Sequence, residues 1–284
     1  MTRPFPRFDR IAHLARAAVA LVRLRLRDGL AMEVGVEHGS ARYRFSCGSF
    51  TEYLRATSLT TKEPGTVAWL ASDIRPGDVV YDIGANVGIY TVVAAANVGQ
   101  GGHVYAFEPH VANVASLLRN VSLNGVDGRV SVVSAALHDR DALTEFRYSD
   151  LTPGAALSEV AAAQDGPAAD APTVAVELKA AATVDRLVAD GAIRPPDLVK
   201  LDVDGNELLV LRGMERTLRQ SAARALQVEI NADHDQQLSA FLRERGFEPA
   251  ERHFSGPAQR LIDRGQDPAS LGVNVIFRRR LAAH

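Results

Sequence analysis

Val79-Val80-Tyr81-Asp82-Ile83-Gly84-Ala85-Asn86-Val87-Gly88-Ile89-Tyr90 joins a short apolar run to a small-residue turn and the start of a helix-like segment. A buried strand that ends in a carboxylate and turns directly into a helix is typical of the first βα unit of an open parallel sheet. Gly84 and Gly88 let the backbone approach a ligand, and the helix presents free N–H groups at its first turn. This unit predicts a ligand at the carboxyl end of the strand.

The spacing of the turn excludes the dinucleotide fingerprint G-x-G-x-x-G, because Asn86 and Ile89 stand at its second and third glycine positions. The next predicted strand, 103–107, ends in Glu108-Pro109. In a doubly wound sheet Glu108 then lies beside the glycine turn, where its carboxylate accepts both hydrogen bonds of a ribose diol. The two strand ends together predict a nucleoside site.

Strand-like and helix-like segments alternate from Pro76 onward, which predicts the α/β class with a doubly wound, mostly parallel sheet. The predicted strands lie near 79–83, 103–107, 130–135, 197–202, 225–230 and 272–278, and the predicted helices near 89–98, 110–122, 206–219 and 234–245. No convincing crossover helix separates the extended stretch around Phe247 from the last strand, so we expect that strand to pair antiparallel.

The N-terminal part has a different pattern and predicts a small α+β cap over 1–72, ahead of a ligand-binding domain over 73–284. Residues 1–28 carry seven arginines on one flank of an amphipathic helix. That helix predicts a peripheral membrane contact, a dimer contact or packing on its own domain. The alternating segments 32–37 and 42–45 predict a β-hairpin.

Composition limits the classes of partner and compartment. The chain has 284 residues and a net charge of −2, so no overall field favours nucleic acid, and we expect none as a partner. The only cysteine, Cys47, cannot form an intramolecular disulfide, which predicts a reducing, cytoplasmic location. No apolar stretch is long enough to predict a spanning helix.

Four motifs resemble those of the FkbM-type, S-adenosylmethionine-dependent methyltransferases: Asp82 to Gly88, Phe107-Glu108-Pro109, Ala136-Leu137-His138-Asp139, and Leu198 to Glu207. The resemblance covers about 60–280 and includes Thr61-Lys62-Glu63-Pro64. It implies a seven-stranded, Rossmann-like class I methyltransferase fold. It also implies methyl transfer to hydroxyl groups of sugars, glycans or secondary metabolites.

The resemblance implies a site for S-adenosylmethionine as well. The methionyl part lies over Gly84 to Gly88, the ribose on Glu108, and the adenine near the turn after the third strand. The cofactor-binding residues it implies are Glu63, Asp82, Gly84, Ala85, Asn86, Gly88, Glu108, Pro109, Ala135 and Ala136.

Acidic side chains follow the fourth and fifth predicted strands and predict the catalytic groups. Asp202 or Glu229 is the candidate general base, with His234 as a further candidate just beyond. The alternative is a magnesium site formed by Asp202, Glu229 and Asn231. We favour the base, because the pattern only loosely approximates that of cation-dependent methyltransferases.

Other functions stay open at this level. The acceptor group could be an amine or a protein, and the chain could be a nucleotide-dependent oxidoreductase or a non-catalytic nucleoside-binding protein, although the missing glycines argue against nicotinamide binding. Residues 153–172 hold eight alanines and three prolines, which predicts a disordered insertion in preference to a lid.

Overall fold

The computed structural model describes residues 18, 19, 22, 32–160, 172–231 and 234–280. Apart from those three isolated positions, the basic helix predicted over 1–28 lies outside the described residues. Its membrane, dimer and packing roles therefore stay predictions.

The strands are β1 (Met32–His38), β2 (Ala41–Cys47), β3 (Val79–Ile83), β4 (His103–Phe107), β5 (Val130–Val133), β6 (Ala136–Leu137), β7 (Ala142–Tyr148), β8 (Glu159–Val160), β9 (Ala175–Ala182), β10 (Leu198–Leu201), β11 (Ala225–Ile230), β12 (Phe247–His253) and β13 (Val273–Arg279). The α-helices are α1 (Phe50–Thr57), α2 (Leu59–Lys62), α3 (Pro64–Asp73), α4 (Ile89–Asn97), α5 (Val111–Leu123), α6 (Val184–Ala189), α7 (Glu207–Gly213), α8 (Glu215–Gln220), α9 (Asp235–Arg243) and α10 (Gly256–Ile262).

A seven-stranded sheet in the order β12-β13-β11-β10-β3-β4-β5 forms the centre of the fold. The neighbours from β11 to β5 pair in parallel, and β13 pairs antiparallel with both β11 and β12. The predicted fold class and the antiparallel last strand are confirmed. The chain leaves β3 toward β4 and β5 and later returns to β10, so the strand order reverses between β3 and β10, where open α/β sheets bind ligands.

Both faces of this sheet are covered, because every residue of β3 and β10 is buried. Hairpin residues Tyr43, Phe45 and Cys47 pack in the same apolar cluster as Val92 of α4. The hairpin β1–β2 has the predicted position and pairs in register from Met32↔Cys47 to His38↔Ala41. The division of the chain at residue 72 stays a prediction.

A second sheet, in the order β6-β9-β7-β8, was not predicted. The usual alternation, with apolar side chains buried and polar ones exposed, does not hold in these strands. Leu143 and Leu178 face solvent, whereas Lys179 is buried. The helix predicted over 206–219 is divided into α7 and α8. A Cβ on Gly213 at the break would lie 1.9 Å from the carbonyl oxygen of His138, so this position must stay close to the chain after β6.

Among the described helices, none has both the length and the apolar character needed to cross a membrane.

Asn120 joins the hairpin to the glycine turn. Its Nδ2 donates to the Val87 carbonyl at 2.8 Å, and its Oδ1 accepts from the Ser46 N–H at 2.8 Å. We expect Asn120→Ala to lower the free energy of unfolding by about 2 kcal/mol, because it leaves one buried and one partly buried backbone group without partners. Urea denaturation measures the loss. Asn124→Ala, at the residue that follows α5 and with its bonds to Arg44 at exposed atoms, should cost less than about 1 kcal/mol; equal losses would contradict this assignment.

Candidate active site

A cleft that is open to solvent lies where β3, β4, β10 and β11 end. Its position at the carboxyl ends of these strands is where open α/β sheets bind ligands. Six of the predicted cofactor residues line it, namely Gly84, Asn86, Glu108, Pro109, Ala135 and Ala136. The predicted catalytic residues Asp202 and Glu229 line it as well.

Glu108 is held at one end of the cleft by backbone donors and is only 6% exposed. Its Oε2 accepts from the Asn86 N–H at 2.7 Å, and its Oε1 accepts from the His110 N–H at 2.8 Å. Burial raises the pKa of Glu108 to about 7, although the two backbone donors oppose the shift. Each carboxylate oxygen keeps a further lone pair, so the group is able to accept two hydroxyl protons from a diol.

The two glycines of the turn are required by protein packing. Gly84 has φ +79°, and a Cβ there would lie 1.7 Å from the backbone oxygen of Asp202. Gly88 has φ +82°, and its Cβ would lie 2.9 Å from Cγ of Leu117. Packing within the protein is therefore enough to explain why glycine stands at these two positions, without the close approach of a ligand that the sequence suggested. The glycines bring β3 against β10 and α4 against α5.

Asp82 lies beneath the turn and does not line the cleft. Its Oδ2 accepts from Thr91 Oγ1 at 2.6 Å, and its Oδ1 lies 3.5 Å from Nζ of Lys200. Nζ of Lys200 also lies 3.3 Å from Oδ2 of Asp202, so this buried lysine links the ends of β3 and β10. The cofactor contact of Asp82 stays a prediction. The only sequence signal for Lys200 is a lysine inside the apolar strand Leu198–Leu201.

Asp202 and Glu229 form a hydrogen-bonded acid pair on the floor of the cleft. Lys200 holds the pKa of Asp202 well below its usual range. The charge of Asp202, followed by burial, raises the pKa of Glu229. The two shifts run in opposite directions, which favours the charge on Asp202 and the proton on Glu229.

Asp204 completes a group in which one oxygen each of Asp202, Asp204 and Glu229 lie within 4.8 Å of one another. The predicted magnesium ligands included Asn231 in place of Asp204, and Asn231 does not line the cleft. Carboxylate oxygens suit a divalent cation.

Four other predicted residues lie beside the cleft or outside it, and their roles stay predictions. Gly88 is the residue before α4, and Ala85 lines a smaller space next to the cleft. Glu63 is buried, with its Oε1 3.1 Å from Nζ of Lys62. His234 does not line the cleft, and its backbone N–H donates to the Asn231 carbonyl at 3.0 Å.

Residues 150–158, here called the strap, cross the cleft. Asn86 Nδ2 donates to the Ala155 carbonyl at 2.8 Å, and Arg55 Nε donates to the Gly154 carbonyl at 2.6 Å. Oδ2 of Asp204 accepts from the Leu157 N–H at 2.9 Å. The strap therefore contacts the glycine turn, the cap helix α1 and the acidic group. Arg55 was not predicted, because nothing in the sequence indicates that α1 reaches the cleft.

The disorder predicted for 153–172 is wrong for its first part. Gly154, Ala155 and Val160 are buried, and the strap is fixed by the hydrogen bonds above. The backbone groups of Gly154 and Ala155 form hydrogen bonds with the side chains of Asn86, Asn113 and Arg55. The amino-acid composition of the segment does not reveal these contacts. The rest of that segment, 161–171, lies outside the described residues.

Comparison with known proteins agrees with this architecture. The family model for the methyltransferase FkbM domain matches residues 82–249. The hexuronic acid methyltransferase AglP of Haloferax volcanii is 27% identical over 223 residues, covering 74% of this chain and 82% of AglP. The 31-O-demethyl-FK506 methyltransferase FkbM of Streptomyces tacrolimicus is 29% identical over 163 residues, covering 50% of this chain and 62% of that protein.

Solved structures with similar folds include methyltransferases. The methyltransferase FkbM of Methylobacillus flagellatus has a TM-score of 0.45 at 17% identity, covering 71% of this chain and 43% of that one. A SAM-dependent methyltransferase of Aquifex aeolicus has a TM-score of 0.45 at 13% identity, covering 81% and 97%.

The chain is a methyltransferase with the class I fold. This follows from the sheet, whose cleft lies where the strand order reverses, and from the match to the methyltransferase domain. Within that class, the chain belongs to the FkbM methyltransferase family. The family and the fold imply S-adenosylmethionine as the methyl donor. The cleft suits this group, because a buried carboxylate with free lone pairs, Glu108, stands beside an open turn that lacks the dinucleotide spacing.

We expect Glu108→Gln to weaken the binding of S-adenosylhomocysteine by about 10- to 100-fold, because it removes hydrogen bonds between a charged acceptor and the ribose. Isothermal titration calorimetry measures the dissociation constant. Glu37→Gln, an exposed glutamate of β1, is the matched control and should leave it unchanged. Equal affinity of Glu108→Gln and the unmodified chain would remove the ribose assignment.

The same carboxyl predicts a pH dependence. Its pKa is about 7, so the acceptor form is lost as the pH falls through neutrality. The affinity for S-adenosylhomocysteine should therefore rise between pH 6 and pH 8, with the rise centred on about pH 7. The profile should be flat in Glu108→Gln, and a rise that persists there would assign the titration to another group.

Proposed function

We propose that this methyltransferase transfers the methyl group of S-adenosylmethionine to a hydroxyl group of a sugar, glycan or secondary-metabolite acceptor. The observation that carries the proposal is the position of the Asp202 carboxyl group, which lines the cleft beside the glycine turn with its Oδ2 3.3 Å from Nζ of the buried Lys200. A hydroxyl acceptor must lose a proton as it is methylated, and this carboxylate is the group able to take it.

The bound cofactor would supply an electrophilic methyl group on a sulfonium sulfur. When the new C–O bond forms and the C–S bond breaks, the rest of the cofactor is released as a neutral thioether. Asp202 has a depressed pKa and is a weak base toward a free alcohol. Asp202 is a strong enough base if the hydroxyl proton moves to it while the C–O bond forms. At that stage the acceptor resembles a protonated ether, which is a far stronger acid than a carboxylic acid. Lys200 and Glu229 then fix the orientation of the Asp202 carboxylate, and alignment of donor and acceptor supplies most of the remaining acceleration.

Two relatives support an acceptor of this class. AglP is named for a hexuronic acid and FkbM for the 31-O position of its acceptor, at 27% and 29% identity to this chain. The cleft supports it through its mixed lining. Phe146 and Val160 offer apolar contact, while Asn206 and Ser158 offer hydrogen bonds. Such a lining suits a sugar ring, which has both apolar faces and hydroxyl edges.

The test is transfer of an isotope-labelled methyl group from S-adenosylmethionine to a panel of glycosides, uronic acid glycosides and amino sugars, with product analysis by mass spectrometry. An ether-linked methyl group that survives alkaline hydrolysis supports the proposal. Transfer only to nitrogen, or only as a base-labile ester, contradicts it. A parallel reaction with chelator decides whether the group Asp202, Asp204 and Glu229 needs a divalent cation.

We expect Asp202→Asn to lower kcat by about 100-fold or more, because the amide cannot accept the hydroxyl proton. Its affinity for S-adenosylhomocysteine should stay within about threefold of the unmodified chain, since Glu108 carries the ribose contacts. Steady-state kinetics and calorimetry measure the two quantities. Asp190→Asn, an exposed aspartate at the end of α6, is the control. Full turnover in Asp202→Asn would exclude Asp202 as the base.

A further inference from the structure

One side of the second sheet is both apolar and exposed. Val174, Val176, Leu178 and Ala180 alternate along β9 and the residue before it, and all four face solvent. Leu143 of β7 pairs with Ala180 and extends this side onto the neighbouring strand. Leu143 and Leu178, at 69% and 65%, are the most exposed leucines of the described residues. This side of the sheet, here called the outer face, consists of Leu143, Glu145, Arg147, Val174, Val176, Leu178 and Ala180.

Polar contacts on the inner side fix the register that exposes these residues. Lys179 is buried, and its Nζ donates to the Pro109 carbonyl at 2.5 Å and lies 3.1 Å from Oε2 of Glu177. Phe146 and Tyr148 of β7 are buried on the same side. A shift of one residue would exchange the two sides of the strand and remove these contacts. The apolar outer face is therefore built into the fold.

The outer face is large enough for a stable interface. Its two leucines and two valines expose on the order of 400 Å², which is within the size range of patches that are often functional on monomeric proteins. With Ala180 and the half-exposed Glu145 and Arg147, the face offers roughly 600 to 700 Å², close to the ~800 Å² that each partner buries in an interface of standard size. One partner surface of similar size would cover it.

The charges of the outer face suit a second copy of the chain. Glu145 and Arg147 give the face one charge of each sign, so it has no net charge that would attract an anionic membrane or a nucleic acid. In a twofold dimer the same patch faces itself, so each charge of the patch needs the opposite charge within that patch. The pair Glu145 and Arg147 meets this requirement.

The strand register places the complementary groups at matching distances from one point. Glu145 pairs with Leu178, and Arg147 pairs with Val176, on either side of Phe146. A twofold axis that lies in the interface and crosses the strands at Phe146 brings Glu145 over the partner's Arg147. The same axis brings Leu178 over the partner's Val176. Face-to-face packing of sheets with aligned strands is a common arrangement.

We propose that the outer face is the interface of a homodimer, in which two copies of the chain pack their second sheets against each other. Phe146 and Val160, on the inner side of the same sheet, line the cleft. The partner therefore supports one wall of the cleft from behind. The inference goes beyond the proposed function and does not depend on the identity of the acceptor.

Sedimentation velocity of the full chain from about 1 to about 100 µM tests the dimer. The unmodified chain should sediment as a dimer over most of this range. Leu178→Lys places a charge from each copy in the apolar contact and should raise the dissociation constant about 100-fold or more. Leu118→Lys, the same substitution at an exposed leucine of α5, is the control and should leave the dissociation constant unchanged. Circular dichroism should show that both variants fold.

Charge reversal tests the twofold arrangement independently. Glu145→Arg and Arg147→Glu each place like charges opposite each other and should each raise the dissociation constant about tenfold. The double variant restores opposite charges across the interface, so its dissociation constant should return to within about threefold of that of the unmodified chain. Failure of the double variant to recover would contradict the twofold arrangement.

Three further outcomes would overturn the proposal. A monomer at about 100 µM would show that no second copy covers the outer face. A dimer that Leu178→Lys leaves intact would place the contact on another surface of the chain. Flotation of the unmodified chain with phosphatidylcholine vesicles, lost in Leu178→Lys, would assign the face to a membrane.

Discussion

Lys200 is the group on which the geometry of the site depends. Its ammonium group is buried between Asp82 and Asp202, the residues that end β3 and follow β10 at the point where the strand order reverses. Removing Lys200, Asp82 or Asp202 alone would leave an uncompensated charge in this network and destabilise the fold. Because Lys200 also lies 5.2 Å from the ring centre of Tyr90, it links the sheet edge to the first turn of α4.

The acid pair gains its properties from this arrangement. Lys200 favours the ionised form of Asp202, and the charge of Asp202 in turn keeps the proton on Glu229. Two carboxyl groups of similar intrinsic pKa thus acquire different protonation states because of their neighbours. This arrangement favours Asp202 as a hydrogen-bond acceptor and Glu229 as a hydrogen-bond donor in the cleft.

The sequence predicts the central part of the fold and the ribose side of the site, because those depend on local patterns. Apolar runs locate β3 and β4, and Glu108 follows a strand whose neighbour ends in the glycine turn. The second sheet could not be predicted, since Leu178 faces solvent and Lys179 faces inward against the usual alternation. The approach of Arg55 to the strap is a contact between distant segments, and no local pattern encodes it.

A crystal structure with S-adenosylhomocysteine tests the central claim most directly. The ribose hydroxyls should lie within hydrogen-bond distance of Glu108, and the thioether sulfur should face Asp202 across the glycine turn. A nucleoside bound elsewhere, or one whose ribose faces solvent with Glu108 bonded only to Asn86 and His110, would contradict it.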